Sequence, residues 1–76
     1  MPHAIVKLLP GRSEQQKANL AEEVSAAVVT TLNCDESSVS VAIEEVPSGD
    51  WTERVYRPDI VGNMGRVYKK PGYDPL

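Results

Sequence analysis

The apolar residues of this chain change period twice, and that switch limits the fold more than any single motif does. From His3 to Leu9 they alternate, with Ala4, Val6 and Leu8 on one face and Ile5 and Leu9 on the other. From Ser13 to about Asn33 they recur at helical spacing, through Leu20, Val24, Ala27, Val28, Thr31 and Leu32. From Val39 to Glu44 alternation returns, with Val39, Val41 and Ile43 sharing a face. Local signals agree with these spans. Pro10-Gly11 breaks the first strand, Ser13 and Gln16 form a capping box, and Asn33 suits a left-handed helix cap. A helix over Ser13–Asn33 is about 31 Å long at 1.5 Å per residue, and a strand over His3–Leu9 about 23 Å. The helix therefore carries the chain back to where the first strand began, which predicts two parallel strands in a right-handed βαβ unit.

Pro47-Ser48-Gly49-Asp50 reads as a turn, with Asp50 capping a short helical segment over Trp51–Arg57. Beyond Pro58, the spacing of Ile60, Val61, Met64, Val67 and Tyr68 predicts a second helix over Asp59–Lys70, stopped by Pro71-Gly72. Gly62 and Gly65 each weaken that helix by about 1 kcal/mol relative to alanine. The fold class expected is α/β: a single domain over residues 1–76, made of one βαβ unit with a C-terminal helical extension.

Such a chain struggles to bury itself. At 76 residues it removes only about 60% of its unfolded surface from water. The single cysteine, Cys34, excludes an internal disulfide. Two parallel strands and one helix leave one sheet face and both sheet edges uncovered, and a second copy of the chain is the natural cover. The two-stranded sheet is expected to be completed by oligomerisation.

Several function classes fall away. The formal net charge of −3 is wrong for a general nucleic-acid binder, which needs cations to displace counterions. No stretch reaches the roughly 20 apolar residues of a membrane span, and Met1-Pro2-His3-Ala4 lacks signal-peptide character, so cytoplasmic residence is expected. His3 and Cys34 are too few for a zinc site, and nothing marks a phosphate loop or a nucleophile elbow. Glu44 and Glu45 are adjacent on a strand and point to opposite faces, which suits solvated charges better than an acid–base pair.

The remaining chemistry sits at the N-terminus. Removal of Met1 before the small Pro2 leaves a prolyl secondary amine anchored by the strand that begins at His3. Burial and a nearby guanidinium both disfavour its charged form, making it a general base near neutral pH. If Met1 stays, the nitrogen is an amide without basicity. Proline also occupies this position in many chains for no chemical reason. Arg12, in the Gly11-Arg12-Ser13 turn at the helix start, can take a substrate carboxylate in bidentate fashion; it also suits a plain solvated turn. Pro2 and Arg12 lie near opposite ends of the first strand, so cooperation between them requires Arg12 from a neighbouring subunit. Trp51 suits either an apolar wall that dries the amine or an interface anchor.

Pro2, Gly11-Arg12-Ser13, Glu14-Gln15-Gln16-Lys17, the strand Ser38-Val39-Ser40-Val41-Ala42-Ile43-Glu44-Glu45 and Trp51 together resemble the 4-oxalocrotonate tautomerase family. Ser-Val-Ser-Val, Trp51 and the ending Lys69-Lys70-Pro71-Gly72-Tyr73 are similar to its longer-tailed PptA (YdcE) branch. The resemblance covers nearly the whole chain. It implies keto–enol tautomerisation or double-bond migration in 2-oxo or 2-hydroxy-dienoate acids, with no metal or organic cofactor. By position, it implies that Pro2 is the general base, that Arg12 holds a carboxylate and that Trp51 keeps the amine pocket apolar. Where well-known members carry a second arginine that polarises the 2-oxo group, this chain has Ser40, shorter and uncharged. The resemblance therefore points to smaller or aromatic 2-oxo acids, such as phenylenolpyruvate, rather than the dicarboxylate that names the family. The extra C-terminal helix is expected to cover the surface on which minimal members stack, giving a homodimer rather than a hexamer. Two other readings stay open: water addition to unsaturated acids (hydratase or dehalogenase chemistry) with protonated Pro2 as acid, and a non-catalytic oligomeric interaction module using Trp51 and the basic tail.

Overall fold

The computed structural model describes residues 1–76. Strand β1 (His3–Leu8) is followed by helix α1 (Glu14–Leu32) and strand β2 (Ser40–Glu45), and the two strands pair in parallel. This is the expected βαβ unit. Both termini of α1 form as their local chemistry requires. Ser13 Oγ accepts from the Gln16 amide at 3.1 Å, while the Ser13 amide donates to Gln16 Oε1 at 2.9 Å, a reciprocal cap whose loss typically costs about 1 kcal/mol. At the far end Asn33 takes the left-handed conformation, φ 53° and ψ 53°, which asparagine tolerates better than most side chains.

The pairing register sets two unlike sheet faces. Ala4 lies opposite Val41, Val6 opposite Ile43 and Leu8 opposite Glu45; the five apolar residues among these are half-buried and face α1, and Glu45 on the same face meets Lys17 at 3.4 Å. His3 lies opposite Ser40, Ile5 opposite Ala42 and Lys7 opposite Glu44, and this second face is only partly covered. The helix presents Ala21, Val24, Ser25, Val28 and Val29 as its half-buried side. The stripe expected from spacing alone shares only Val24 and Val28 with it. Leu20 and Leu32 stay 36% and 60% exposed, so α1 carries more apolar surface than its own sheet can cover.

The C-terminal extension departs from expectation. There is no break at Pro58: a wide helix with π-type bonding, α2 (Thr52–Ile60), runs through it and passes into a 3-10 turn over Val61–Arg66. In an ordinary α-helix the proline ring strikes the carbonyl four residues back; a wider turn moves that carbonyl away and tolerates the missing donor. The Val61 amide bonds to both Tyr56 and Arg57 carbonyls. Gly62 then passes so close that a Cβ would sit 2.9 Å from the Arg57 carbonyl oxygen, which explains a glycine there. Helical structure ends at Arg66, short of the expected Lys70, because Val67 is extended.

Helix α2 lies across one end of the open sheet face. Lys7 Nζ meets Asp59 Oδ2 at 2.6 Å, and Arg54 approaches Glu44 at 3.8 Å. The only three residues that are almost fully buried are Val55 and Tyr56 of α2 itself and Val46, which follows β2. The exposed area of 5708 Å² exceeds the about 4,600 Å² typical of a compact monomer of this mass. The radius of gyration, 13.9 Å, exceeds the about 11 Å usual for 76 residues. A single copy is a thin plate, 40 × 31 × 19 Å, with most of its apolar surface half-covered.

Candidate active site

Pro2 sits at the head of β1, half-buried, and its carbonyl accepts the Ser40 amide at 3.2 Å. This bond ties Pro2 into the parallel ladder, whereas an unpaired terminal residue frays. Met1 itself is fully exposed, so its removal costs no packing. On the open face beside this bond, His3 Nδ1 lies 2.6 Å from Ser40 Oγ. Exposed Ile5 and Ala42 continue the same face away from the chain start.

The opposite end of the sheet, about 20 Å away by strand rise, holds the other two residues singled out from the sequence. Gly11 adopts φ +124°, a conformation closed to most L-residues, and so swings the chain from strand into helix. Arg12 follows, exposed and without an ion-pair partner, directly before the Ser13 cap. The cap engages the Gln16 amide, leaving the amides of Glu14 and Gln15 at the helix start to favour an anion. Trp51 is half-buried at the same end as Leu9. Its indole N–H donates to the Tyr73 hydroxyl at 2.9 Å, and Tyr73 packs on Tyr56 with ring centroids 5.6 Å apart. Leu9, Ser48, Trp51, Thr52, Tyr73 and Pro75 line an open groove of about 350 Å³.

The structure thus brings Pro2 and Ser40 together at one end and leaves Arg12 and Trp51 at the other. Two further residues join them. Tyr73, from the irregular tail, anchors Trp51; no periodic signal marks it. His3 partners Ser40, which follows from the alternation once the two strands are laid in parallel register. Charges at the C-terminal cover are also tuned. The Asp59 carboxylate, through its hydrogen bond, holds the Lys7 ammonium above its usual range despite partial burial. Burial pushes the Tyr56 phenol up, helped by the Asp74 carboxylate and by Tyr73.

A family of tautomerase enzymes matches residues 2–54. The chain belongs to the tautomerase family. A probable tautomerase of Xylella fastidiosa (strain 9a5c) is 47% identical over all 76 residues and 93% of its own length. The tautomerase PptA of Cronobacter sakazakii is 39% identical over 97% of this chain and 99% of its own. Among solved structures, a heterohexameric 4-oxalocrotonate tautomerase from Chloroflexus aurantiacus superposes with a TM-score of 0.65 at 37% identity, over 67% of this chain and 82% of that one. The family match ends inside α2, while these two curated relatives extend along the tail, so the Tyr73 segment is shared with tautomerases of similar length. No helix is long and apolar enough to cross a membrane.

Proposed function

We propose that this protein is a cofactor-independent tautomerase that interconverts the keto and enol forms of 2-oxo and 2-hydroxy-enoic acids, with the freed Pro2 nitrogen as general base. The neutral amine takes a proton from the substrate, the electron pair moves through the conjugated system, and negative charge collects on the 2-oxygen. The prolinium then delivers the proton to a carbon of the conjugated system, which for phenylenolpyruvate means from the 2-hydroxyl to C3, and this regenerates the amine. Arg12 holds the carboxylate by a paired, charge-assisted contact, and Trp51 walls the pocket. The observation that carries this reading is the Pro2 carbonyl bonded into the ladder beside an unpacked Met1: a residue free to become the chain terminus, yet held like a core residue.

Within one subunit Arg12 and Pro2 are separated by the length of β1, so Arg12 reaches Pro2 from a second copy. A two-fold axis beside the sheet reverses one strand pair against the other and sets the Pro2 end of one copy near the Arg12 and Trp51 end of its partner. Such an assembly also covers the surplus apolar side of α1. Because α2 occupies part of the open sheet face through Lys7–Asp59 and Arg54–Glu44, a homodimer is favoured over a stacked hexamer. An uncharged Ser40 favours monocarboxylates, and the groove walled by Leu9, Trp51 and Tyr73 suits an apolar or phenyl arm, as in phenylenolpyruvate.

The test is turnover of phenylenolpyruvate by protein verified by mass to begin at Pro2. Pro2→Ala should lower kcat at least about 100-fold, the lower bound for losing a positioned base, with an unchanged circular dichroism spectrum. Protein that retains Met1 should be equally inactive. Undiminished turnover in either form contradicts the mechanism, and a hydrated product in place of the keto acid supports the hydratase reading instead.

A further inference from the structure

Ser40 by itself is a weak substitute for a cation. Its hydroxyl is short and neutral, and a lone neutral donor stabilises an enolate less than a charged one does. The structure supplies what the residue lacks. His3, opposite Ser40 in the register, places Nδ1 at 2.6 Å from Oγ. The pair stands on the uncovered part of the sheet face, and neither side chain has another hydrogen-bond partner. It is also fixed to the reacting end of the molecule: His3 is the residue after Pro2, and the Ser40 amide holds the Pro2 carbonyl at 3.2 Å.

The direction of the hydrogen bond decides what the pair can do. A serine hydroxyl has one proton and two lone pairs. If the proton goes to Nδ1, Ser40 has nothing left to donate to a substrate. If an Nδ1–H donates to a lone pair, the hydroxyl proton is free to turn to a third group, and the incoming bond polarises it. An Nδ1–H exists in one neutral tautomer and in the imidazolium alike. The substrate's 2-oxygen, on which charge collects, is the acceptor that rewards this arrangement.

Resting on the tautomerase reading above, we propose that His3 is a positioning residue that acts through Ser40: its Nδ1–H donates to Ser40 Oγ and directs the hydroxyl proton to the 2-oxygen of the bound 2-oxo acid. No bond is made or broken at the pair. The proton transfer stays with Pro2, and the two hydrogen bonds in series strengthen as the enolate forms. The contribution therefore belongs to the transition state and appears in kcat rather than in KM.

The experiment is a double-mutant cycle on protein beginning at Pro2, with phenylenolpyruvate as substrate and Pro2→Ala assayed alongside. Ser40→Ala should lower kcat on the order of 100-fold, the size seen on removing one oxyanion donor, and leave KM within about twofold. His3→Ala should lower kcat by roughly tenfold while Ser40 is present and change little in the Ser40→Ala background, since partners in one network are not additive. His3→Asn, whose amide N–H can take the Nδ1 place, should recover most of the loss. A His3→Ala effect that is absent, confined to KM, or unchanged without Ser40 overturns the proposal, as does failure of His3→Asn to exceed His3→Ala. If wild type turns over and Pro2→Ala does not, the tautomerase reading survives that outcome; if wild type gives no turnover at all, both fall.

Discussion

At the residue scale the account turns on where charge is and is not supplied. Arg12 has no ion-pair partner, whereas Arg54, Arg57, Lys7 and Lys17 all have carboxylate partners. Its guanidinium is thus available to a ligand, and removing it costs binding more than chemistry. Arg12→Ala should raise KM for a 2-oxo acid by about 10- to 100-fold, the worth of a charge-assisted hydrogen bond of 1.5–3 kcal/mol, with kcat much less affected. Steady-state kinetics at fixed ionic strength measures this, and an unchanged KM returns Arg12 to a solvated turn. The positions of Pro2 and Arg12 in the fold are legible in the sequence, because each stands at a punctuated place, the start of a strand and the turn before a capped helix. The His3–Ser40 pair was not singled out, because it exists only once the register is known. Tyr73 lies in a tail without periodicity; the ending Lys69-Lys70-Pro71-Gly72-Tyr73 carries the resemblance, but only the contacts with Trp51 and Tyr56 show what Tyr73 holds.

At the scale of elements, β1, α1 and β2 follow from local rules, and the C-terminal extension does not. The Ser13–Gln16 box and the Asn33 cap are contacts within a few residues of each other, so the sequence contains their whole cause. Pro58 is a natural place to end a helix, yet α2 passes through it by widening while burying Val55 and Tyr56. Tertiary packing overrides local preference there. The attachment of α2 has a pH signature. The Lys7 ammonium, bonded to Asp59, and the buried Tyr56 phenol both hold their protons more tightly than the same groups in an unfolded chain. Both groups keep their protons longer in the folded state, so the unfolded chain binds fewer protons at high pH and stability falls as pH rises. This contribution is intact below about pH 10 and is lost as pH rises through the folded values. Thermal melts should be level up to pH 9 and drop by pH 11, with a smaller drop in Asp59→Asn, which lacks the Lys7 partner. A melting temperature level across that range contradicts the assigned anchoring.

For the whole molecule, the excess surface is the dominant fact. Leu20 and Leu32 on α1 and Ile5 on the open sheet face are apolar residues that one copy does not cover, which is why spacing alone named an α1 stripe that is only partly packed. The pattern was correct about which residues want burial and silent about whose surface buries them. The proposed self-association would answer both the marginal burial of so small a chain and the separation of Arg12 from Pro2. Sedimentation equilibrium should return twice the 8.3 kDa chain mass; a mass of six chains places α2 elsewhere than in the way of stacking, and a monomer removes the shared site.

All of these scales meet at one nitrogen. The direct test is a 15N and 13C NMR titration of Pro2 in protein shown by intact mass to lack Met1. A dry pocket with a guanidinium nearby must lower the affinity of that amine for its proton, so the account predicts a titration midpoint clearly below that of a prolyl terminus in an unstructured peptide. A midpoint equal to or above the peptide value contradicts it.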